Sequence, residues 1–568
     1  MSDFPIPGPV PVPHRWWPNP IFRRYVRARL RPQALMVALL ITVILAGFLY
    51  FSFRTGFRYR GQMEVADAER ATLIPLLVLQ ALILFFLGTG NVAGGITAEA
   101  DEGTLDYQRL SPLTPLTKVL GYLLGLPIRE WCMFAATLPF TAWALWKGEV
   151  AASAWVPIYL GLLSSALLYH LTGLVMGTVV KNRRWAFLFS IIVIFLLYTV
   201  IPQAAKFGLV YFKYLTIWPV VDENIANLMP GEMGGMMRFA KSMEPDVRFF
   251  GLHFSEATFT LFSQSVLILT FVVMLWRRWR QSDSHLLGKA WAFGLFVWMQ
   301  LMLLGNALPL IEPGLLFPSR QFNRRFLRDA NWEPGVIEAV SMIALYGMVT
   351  LLLLVVLTFI ITPTVERQTR GLRRGRKLGW KRIPRLSDPA SSTMMVALMA
   401  VAGAVGWTIF AQQLMESHWF AGHHLAGYAG ATFALILLGA GLASQAILEG
   451  WGGQKFFLAV IFAAVLPVMA GGIIGSVGDR SLTPATWLAG VSPVSAPAYA
   501  AASLVSTDYV FPKEVARAIP RAFWFWQGVT GLTTAWLLWR LRQIRQDRHA
   551  LVYGEGPEAE ESRRAPAV

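Results

Sequence analysis

The chain has 568 residues, of which 55% are hydrophobic and 15% charged, and its mean hydropathy is +0.50. Soluble domains carry about 25% charged residues, so this composition excludes an ordinary soluble protein and indicates helices that face lipid. The single cysteine, Cys132, excludes a disulfide framework, a four-thiolate zinc site and an iron–sulfur cluster, because each needs two or more thiols.

Runs of about 20 apolar residues predict about twelve transmembrane helices. In chain order they are 34–53, 71–90, 128–146, 153–180, 185–204, 254–276, 290–311, 339–362, 393–412, 425–447, 456–476 and 522–540. An even number places both termini on one side of the membrane. Most of the 50 Lys and Arg fall on the cytoplasmic side if the N-terminus is inside. The sequence therefore predicts an all-α polytopic membrane protein with both termini cytoplasmic. The net charge of +17 is interpreted as a topology signal, with no nucleic-acid partner.

The predicted helices form two halves of six. A cytoplasmic tail over residues 1–33 precedes the first half, 34–276, and the second half, 277–541, is followed by a tail over 542–568. That last tail is rich in Glu, Pro and Ala towards its end, which predicts disorder there. Because six is an even number, the second half would repeat the first in the same orientation, as a parallel repeat.

Just before the first predicted span, Asn19 and Pro20 open an amphipathic segment over Ile21–Arg31. At 100° per residue its apolar and basic residues fall on opposite sides. The apolar side holds Ile21, Phe22, Tyr25, Val26 and Leu30, and the basic side holds Arg23, Arg24, Arg27 and Arg31. We expect a helix that lies in the cytoplasmic membrane interface. The alternative is a basic flank that only fixes topology.

The loop between the second and third predicted spans is acidic, although it is predicted to be cytoplasmic. Its acids Glu99, Asp101, Glu102 and Asp106 outnumber the lone Arg109. Such a surface suits docking against a basic groove on another protein. An exposed, solvated turn is the alternative interpretation.

The same loop resembles that of the type 2 permease family of ATP-binding-cassette exporters. The resemblance rests on the run Glu99-x-x-Glu102-Gly103-Thr104-Leu105, then Leu110-Ser111-Pro112-Leu113-Thr114 and Lys118. The Asn19-Pro20 segment is similar to the connecting helix of that family. The resemblance implies that Glu99, Glu102, Gly103, Thr104 and Leu105 form a helix that docks on a separate ATP-hydrolysing subunit, with Pro112 at its end. It also implies that the loop transmits the opening and closing of that subunit to the spans.

By this resemblance the chain is the permease subunit of an ATP-driven exporter in a bacterial cytoplasmic (inner) membrane, and membrane lipid surrounds it. It is not expected to be an enzyme, because it lacks the phosphate-binding pattern Gly-x-x-x-x-Gly-Lys-Ser/Thr. The nearest match, Gly235–Ser242, has Ala240 where the second glycine belongs. No cofactor is therefore expected in this chain, and ATP and Mg²⁺ would bind the partner subunit. The sequence does not identify the cargo.

The corresponding loop of the second half, Thr362–Ser392, departs from this pattern. It carries Glu366 and Arg367 where the acidic element is expected, and then the basic run Arg373-Arg374-Gly375-Arg376-Lys377. If the halves are a fused permease pair, the chain is self-sufficient as a pair but its ATPase contacts are asymmetric. Otherwise the second half is an accessory bundle.

Two other functions stay open. The basic run in the second half is similar to a loop of the major facilitator transporters, which have twelve spans in parallel halves, although Leu372 stands where they carry an acid. A membrane-embedded transferase would use acids in an outer loop, for which Asp222, Glu223 and Asp246 are the candidates. A secondary carrier needs no ATPase, whereas a transferase turns over its substrate in detergent.

Several further residues have a functional and a structural interpretation. His170 is the clearest titratable group at membrane depth. It either binds a proton or substrate during transport, or it forms a hydrogen bond to a neighbouring helix. The pairs Gly173/Gly177 and Gly471/Gly475 predict close helix packing. Two outer clusters contain metal-ligand residues, but no metal site is predicted. The methionine cluster is interpreted as a flexible amphipathic surface that rests on the membrane, and the histidine cluster has no fixed ligand spacing. They are Met229, Met233, Met236, Met237 and Met243, and Glu416, His418, His423 and His424.

Overall fold

The computed structural model describes residues 19–59, 64–180, 182–229, 247–281, 284–311, 316, 336–379, 383–417, 424–505 and 511–553. This part of the chain is almost entirely helical. Its two three-residue strands, β1 (Val247–Phe249) and β2 (Leu252–Phe254), form a two-stranded sheet.

Contacts divide the chain into two compact units. Unit 1 comprises the described residues within Met1–Gln203, Phe212–Arg248 and Leu252–Ser282, and unit 2 those within Ala204–Tyr211, Phe249–Gly251 and Asp283–Val568. The predicted parallel repeat stays a prediction, because this division does not test it.

Unit 1 holds the first thirteen α-helices, one π-helix and most of one 3-10 helix. They are α1 (Pro20–Arg29), α2 (Pro32–Tyr59), α3 (Val65–Arg70), α4 (Leu73–Ala81), a π-helix (Leu82–Gly88), α5 (Thr89–Asp101), α6 (Thr104–Leu110), α7 (Pro115–Gly125), α8 (Ile128–Lys147), α9 (Ala152–Val179), α10 (Arg183–Thr199), α11 (Ile201–Lys206), a 3-10 helix (Val210–Leu215), α12 (Trp218–Leu228) and α13 (Glu256–Arg280). The unit boundary passes through α11 and through the 3-10 helix.

Unit 2 holds the remaining helices. They are α14 (Lys289–Ala307), a 3-10 helix (Leu308–Leu310), α15 (Val336–Ile361), α16 (Val365–Lys377), α17 (Thr393–Met415), α18 (Ala429–Trp451), α19 (Gly453–Val460), a π-helix (Ile461–Val465), α20 (Leu466–Gly475), a 3-10 helix (Asp479–Ser481), α21 (Leu482–Ala489), α22 (Ala496–Leu504) and α23 (Lys513–Tyr553).

Nine helical segments in the described residues are long and apolar enough to cross a membrane. They are Pro32–Gly56, Val65–Asp101, Ala152–Val179, Glu256–Arg280, Lys289–Leu310, Val336–Ile361, Thr393–Met415, Ala429–Trp451 and Gly453–Gly475. The pair α7 and α8, bent by 51° at a short break, makes a tenth if it counts as one span. The all-α polytopic class is therefore confirmed. The count of twelve stays a prediction, because α10 and α23 are not among these ten.

Large apolar side chains on these helices are exposed. Leu40 and Phe48 of α2 are 61% and 65% exposed, and Phe462 and Ile473 are 64% and 65% exposed. Contiguous apolar surface of this extent is unfavourable in water and marks contact with lipid. The chain is thus a multi-pass membrane protein.

The centre of unit 1 is α9, which packs closely against α5. Gly173 lies against the backbone of Thr89, and Gly177 lies against Ala93 and Ile96. The Thr97 hydroxyl donates to the Gly177 carbonyl at 3.3 Å. The predicted pair of small residues therefore lies at a close helix contact, where a larger side chain would separate the two backbones.

Residues that connect the predicted spans 185–204 and 254–276 fold back against the middle of α9. The Tyr169 hydroxyl donates to the Leu215 carbonyl at 2.9 Å, and Val220 of α12 packs against Gly161. Gln264 of α13 donates to the Thr216 carbonyl at 3.3 Å. Leu215, Thr216 and Val220 therefore pack in the core of unit 1.

Unit 2 has a core of large aromatic and amide side chains. Trp407 of α17 stacks on Phe433 of α18 with ring centroids 4.4 Å apart. The hydroxyl of Tyr346 donates to Gln300 at 2.8 Å. Such internal hydrogen bonds satisfy polar groups that lipid cannot.

Candidate functional site

The acidic loop of unit 1 is a helix end, a turn and a short helix. Helix α5 ends at Asp101, and Gly103 takes a left-handed conformation with φ of +70°, which glycine adopts at low cost. Helix α6 follows over Thr104–Leu110 and ends before Pro112. The short helix is thus shifted from the predicted 99–105, because α5 continues through Glu99.

The outer surface of this loop is acidic with two large protruding side chains. Tyr107 is 78% exposed and Leu110 is 84% exposed. Asp101, Glu102 and Asp106 are exposed beside them. Gly103 and Pro112 are also exposed, and Thr104 is half-buried. Tyr107 and Leu110 thus form the exposed tip of the loop together with these acids.

Glu99 has a different environment from the other acids, because it is 4% exposed. Its carboxylate accepts hydrogen bonds from the hydroxyls of Tyr25 and Tyr122, the latter at 2.5 Å, and pairs with Arg24. Burial and the neighbouring Glu99 charge raise the pKa of Tyr25, so its phenol remains a donor. Glu99 therefore joins α1, α5 and α7 and does not contribute its side chain to the exposed surface.

Helix α1 is held on the bundle by its first residues and its apolar side. The Asn19 side chain accepts from the amides of Ile21 and Phe22 as the N-cap, and donates to the Thr117 carbonyl at 2.7 Å. Pro20 occupies the first helical position, where its missing N–H is not needed. Ile21 and Tyr25 are buried. The side chains of Arg23, Arg24 and Arg27 lie on the exposed side, and Arg24 reaches Glu99.

Two glycines of α7 allow this close approach. A Cβ on Gly121 would come within 2.8 Å of the Asn19 amide, and one on Gly125 would come within 2.9 Å of the Tyr25 ring. These glycines and Tyr122 are not among the residues predicted from the sequence. The Gly-x-x-x-Gly spacing in α7 is the signal that could have identified the contact.

A second buried acid lies at the start of α8. Glu130 is fully buried and accepts from Asn91 at 2.8 Å and from Arg129 at 3.0 Å. Burial lowers the pKa of Arg29 at the end of α1, and the negative charge of Glu130 opposes this shift because it stabilises the protonated guanidinium. Helix α1 thus contacts Glu99 through Arg24 and Tyr25, and its last residue, Arg29, lies in the field of Glu130.

The far end of the loop is anchored as well. Leu105 is 6% exposed and packs in the apolar cluster that includes Ile21 and Trp279. The Lys118 ammonium is buried and donates to the carbonyls of Arg109 at 3.3 Å and Ser111 at 3.2 Å. The base of the loop is therefore fixed, while the tip that carries Tyr107 and Leu110 faces outward.

The corresponding loop of the second half is a basic helix, α16, with Glu366 exposed near its start and paired with Arg370. Arg373, Arg374 and Arg376 are exposed. The exposed acids of the first loop have no counterpart on α16 apart from Glu366.

His170 is fully buried, and its Nε2 lies 2.9 Å from the Leu84 carbonyl in the π-helix of unit 1. A π-helix leaves a carbonyl without its usual intrahelical donor, and the imidazole satisfies it. Gly88 packs against the same ring. This geometry favours the structural interpretation of His170.

The other candidates are only partly described. Glu223 accepts from the Ala257 amide at 2.8 Å, at the first turn of α13. Among the described residues, no group of three or more His, Cys, Asp or Glu could hold a metal ion. Several predicted members lie outside those residues: Met233, Met236, Met237, Met243, Asp246, His418, His423 and the segment 235–242.

Comparison with family models, with curated proteins and with solved structures gives no match to this chain.

Proposed function

We propose that the chain is the membrane permease subunit of an ATP-driven exporter of the ATP-binding-cassette type, and that its acidic loop docks on a separate ATP-hydrolysing subunit. The observation that carries the proposal is the contrast between the loop's fixed base and its exposed tip. Glu99, Leu105 and Lys118 anchor the base, and Tyr107 and Leu110 protrude. A rigid protrusion transmits a displacement better than a flexible one.

The mechanism follows from the anchoring contacts. A partner that moves the loop tip also moves the end of α5, because the loop continues that helix. Glu99 passes the displacement to α1 and α7 through Tyr25 and Tyr122. Closure of an ATPase dimer would thus shift several membrane helices together, as in a switch between inward- and outward-facing arrangements. The ATP and Mg²⁺ belong to that partner, and the membrane is a bacterial inner membrane.

The experiment is co-purification of the tagged full chain from its native host in a mild detergent. Three forms are compared: the wild type, the Glu102→Lys variant and a Tyr107→Ser/Leu110→Ser double variant. We expect a stoichiometric ATPase with the wild type and at least about a tenfold loss in both variants. Truncation of a hot-spot side chain costs about 2 kcal/mol or more, and a lysine against a basic groove introduces like-charge repulsion.

Glu149→Lys is the matched control. Glu149 is exposed and lies in the turn after α8, where Arg70 donates to the neighbouring Gly148 carbonyl at 2.6 Å, at the other end of the bundle from the loop. The Glu149→Lys variant has the same change of charge as Glu102→Lys and should retain the ATPase. If the wild type purifies without an ATPase, the proposal is wrong. The major facilitator type of secondary transporter and the membrane transferase then become the stronger candidates.

A further inference from the structure

A cavity of about 480 Å³ lies within unit 2 among three elements. They are helix α16, the segment from Ile383 into the start of α17, and the C-terminal part of α23. Hydrogen bonds hold these elements together. Arg548 donates to Gln368, and Arg376 donates to the Val552 carbonyl at 2.6 Å. The cavity is therefore a built feature of the fold. We refer to it as the Arg545 cavity.

One wall of the Arg545 cavity is basic. Arg385, Arg545, Arg548 and His549 line it, and none of the lining residues that the structure describes is Asp or Glu. The Glu449 carboxylate, which is fully buried, lies 3.7 Å from the Arg545 guanidinium but does not line the cavity. The lining residues themselves therefore carry a net positive charge.

The polar groups of this wall are only partly satisfied. The Arg545 guanidinium donates to the Thr393 hydroxyl at 2.6 Å, but its buried Nε has no acceptor among the described residues. A buried donor without a partner costs free energy, which a bound anion would offset. The Ser391 hydroxyl lies 3.1 Å from the Thr393 hydroxyl on the same lining and adds a donor, whereas Thr393 donates to the Gln445 side chain. Arginines with hydroxyls are the usual ligands of phosphate.

The lining also has an apolar wall. Leu372, Ile383, Met394 and Met395 form it. Met394 is 42% exposed, and it lies in the first turn of the candidate span Thr393–Met415. The cavity therefore lies where a membrane helix begins, with its basic and apolar walls side by side. This is the arrangement that accommodates a charged headgroup and the first part of an acyl chain.

We propose that the Arg545 cavity binds the phosphate headgroup of an anionic phospholipid. The inference does not rest on the exporter proposal, because it concerns a different unit and a different ligand. Basic pockets at the cytoplasmic ends of membrane helices recognise anionic headgroups through the same chemistry. A free phosphate compound offers the same oxygens, but it has no group that would occupy the apolar wall.

The test is lipid retention by the full chain in neutral detergent, measured by native mass spectrometry with added phosphatidylglycerol, phosphatidylcholine or glycerol 1-phosphate. We expect phosphatidylglycerol to be retained in preference to the other two. The Arg385→Gln variant should bind it about fivefold more weakly, since each basic residue near an anionic headgroup contributes about that factor. Arg385 is exposed, so the variant should fold normally.

Arg373→Gln is the matched control, because Arg373 is exposed on α16 but does not line the cavity. It should bind like the wild type. A second variant, Met394→Glu, places a negative charge at the apolar rim and should abolish retention. Equal losses in the Arg385 and Arg373 variants would overturn the proposal. Tight binding of glycerol 1-phosphate alone, or equal retention of phosphatidylcholine, would also overturn it.

Discussion

Acids of a single loop in unit 1 divide into two groups by their burial. Glu99 is buried and bonded by two phenols and a guanidinium, whereas Asp101, Glu102 and Asp106 are exposed. A buried carboxylate requires partners, because its desolvation is costly without them. An exposed one remains available to another protein. The loop thus separates an anchoring residue from the residues that a partner could contact.

The first prediction concerns this anchor. Glu99→Gln keeps the side-chain shape but removes the negative charge of the carboxylate, which accepts hydrogen bonds from Tyr25, Tyr122 and Arg24. We expect a loss of about 1–3 kcal/mol of stability, the range for hydrogen bonds to buried charged groups. The measurement is the thermal midpoint of the full chain in detergent.

Glu102→Gln is its control, because Glu102 is exposed and is only three residues away. A surface substitution of this kind should change stability by less than about 0.5 kcal/mol. Equal thermal midpoints for the two variants would show that the Glu99 contacts are not stabilising.

The sequence located the loop and the amphipathic helix, because acid content and helical periodicity are local signals. It did not show which way Glu99 faces. That direction depends on Tyr122, 23 residues further along, and on Tyr25, 74 residues earlier in the chain. Contacts of this separation have no local signature in a single sequence.

Among the elements of unit 1, the contact between α5 and α9 has the least free space. A Cβ on Gly177 would lie 1.9 Å from the Ile96 Cγ2 and 2.7 Å from the Ala93 carbonyl oxygen. The second prediction is that Gly177→Ala destabilises the chain by about 1–3 kcal/mol, the usual cost of overpacking. The thermal midpoint in detergent is again the measurement.

Gly472→Ala should have the opposite effect. Gly472 is also in a membrane helix, but no heavy atom lies within 4 Å of its added Cβ. Alanine is favoured over glycine in helices by about 0.5–1 kcal/mol, so this variant should be as stable as the wild type or more stable. A loss of stability at both positions would indicate a general intolerance of helix glycines rather than a close contact.

A junction in unit 2 joins the start of α14 to the segment before α17. His285 lies between Asp388 and Arg367. Its Nε2 is 3.2 Å from the Asp388 carbonyl, and its Nδ1 is 3.3 Å from the Arg367 guanidinium. Neutral imidazole suits both, donating to the carbonyl and accepting from arginine. The Lys289 ammonium donates to the Ser387 carbonyl at 2.5 Å.

The third prediction follows from the His285 pKa, which burial lowers to about 4 from its ordinary 6.5, with the charges of Arg367 and Lys289 acting in the same direction and that of Asp388 opposing them. Between these two values the unfolded chain binds a proton that the folded chain does not. Stability should therefore fall as the pH is lowered from about 6.5 towards 4, and no loss from this group is expected above that window.

Thermal midpoints of the wild type and of His285→Gln, measured from pH 7.5 to 4.5, test this. The glutamine amide retains a donor for the Asp388 carbonyl but does not titrate. As the pH is lowered, the thermal midpoint of the wild type should fall more than that of the variant, so the difference between the two midpoints should narrow or reverse. Parallel curves over the whole range would contradict the assigned proton state of His285.

Sequence periodicity does not predict two of the helices. Helix α7 lies between the predicted spans 71–90 and 128–146, because the break at Leu126–Pro127 interrupts the apolar pattern before α8. Helix α12 was predicted to be part of an outer segment, because 11 residues are too few for a span. The position of α12 against α9 depends on Tyr169 and Gln264, which are distant in sequence.

Over the whole molecule, helices α10 and α23 decide the topology. Helix α10 has 17 residues, and α23 has 41 residues with charged residues at both ends. If both cross the membrane and the bent pair α7 and α8 counts as one span, the chain has twelve crossings. A fused permease pair requires that arrangement.

The fourth prediction tests these crossings with single cysteines in a Cys132→Ser background. Tyr107→Cys, Gln281→Cys and Leu551→Cys replace exposed residues and should resist a membrane-impermeant maleimide in intact cells. Glu149→Cys should react. If Gln281→Cys reacts, α10 does not cross, because the chain then crosses the membrane an odd number of times between Tyr107 and Gln281. If only Leu551→Cys reacts in addition to Glu149→Cys, α23 does not cross. Permeabilised cells, in which all four variants should react, separate true protection from an unreactive thiol.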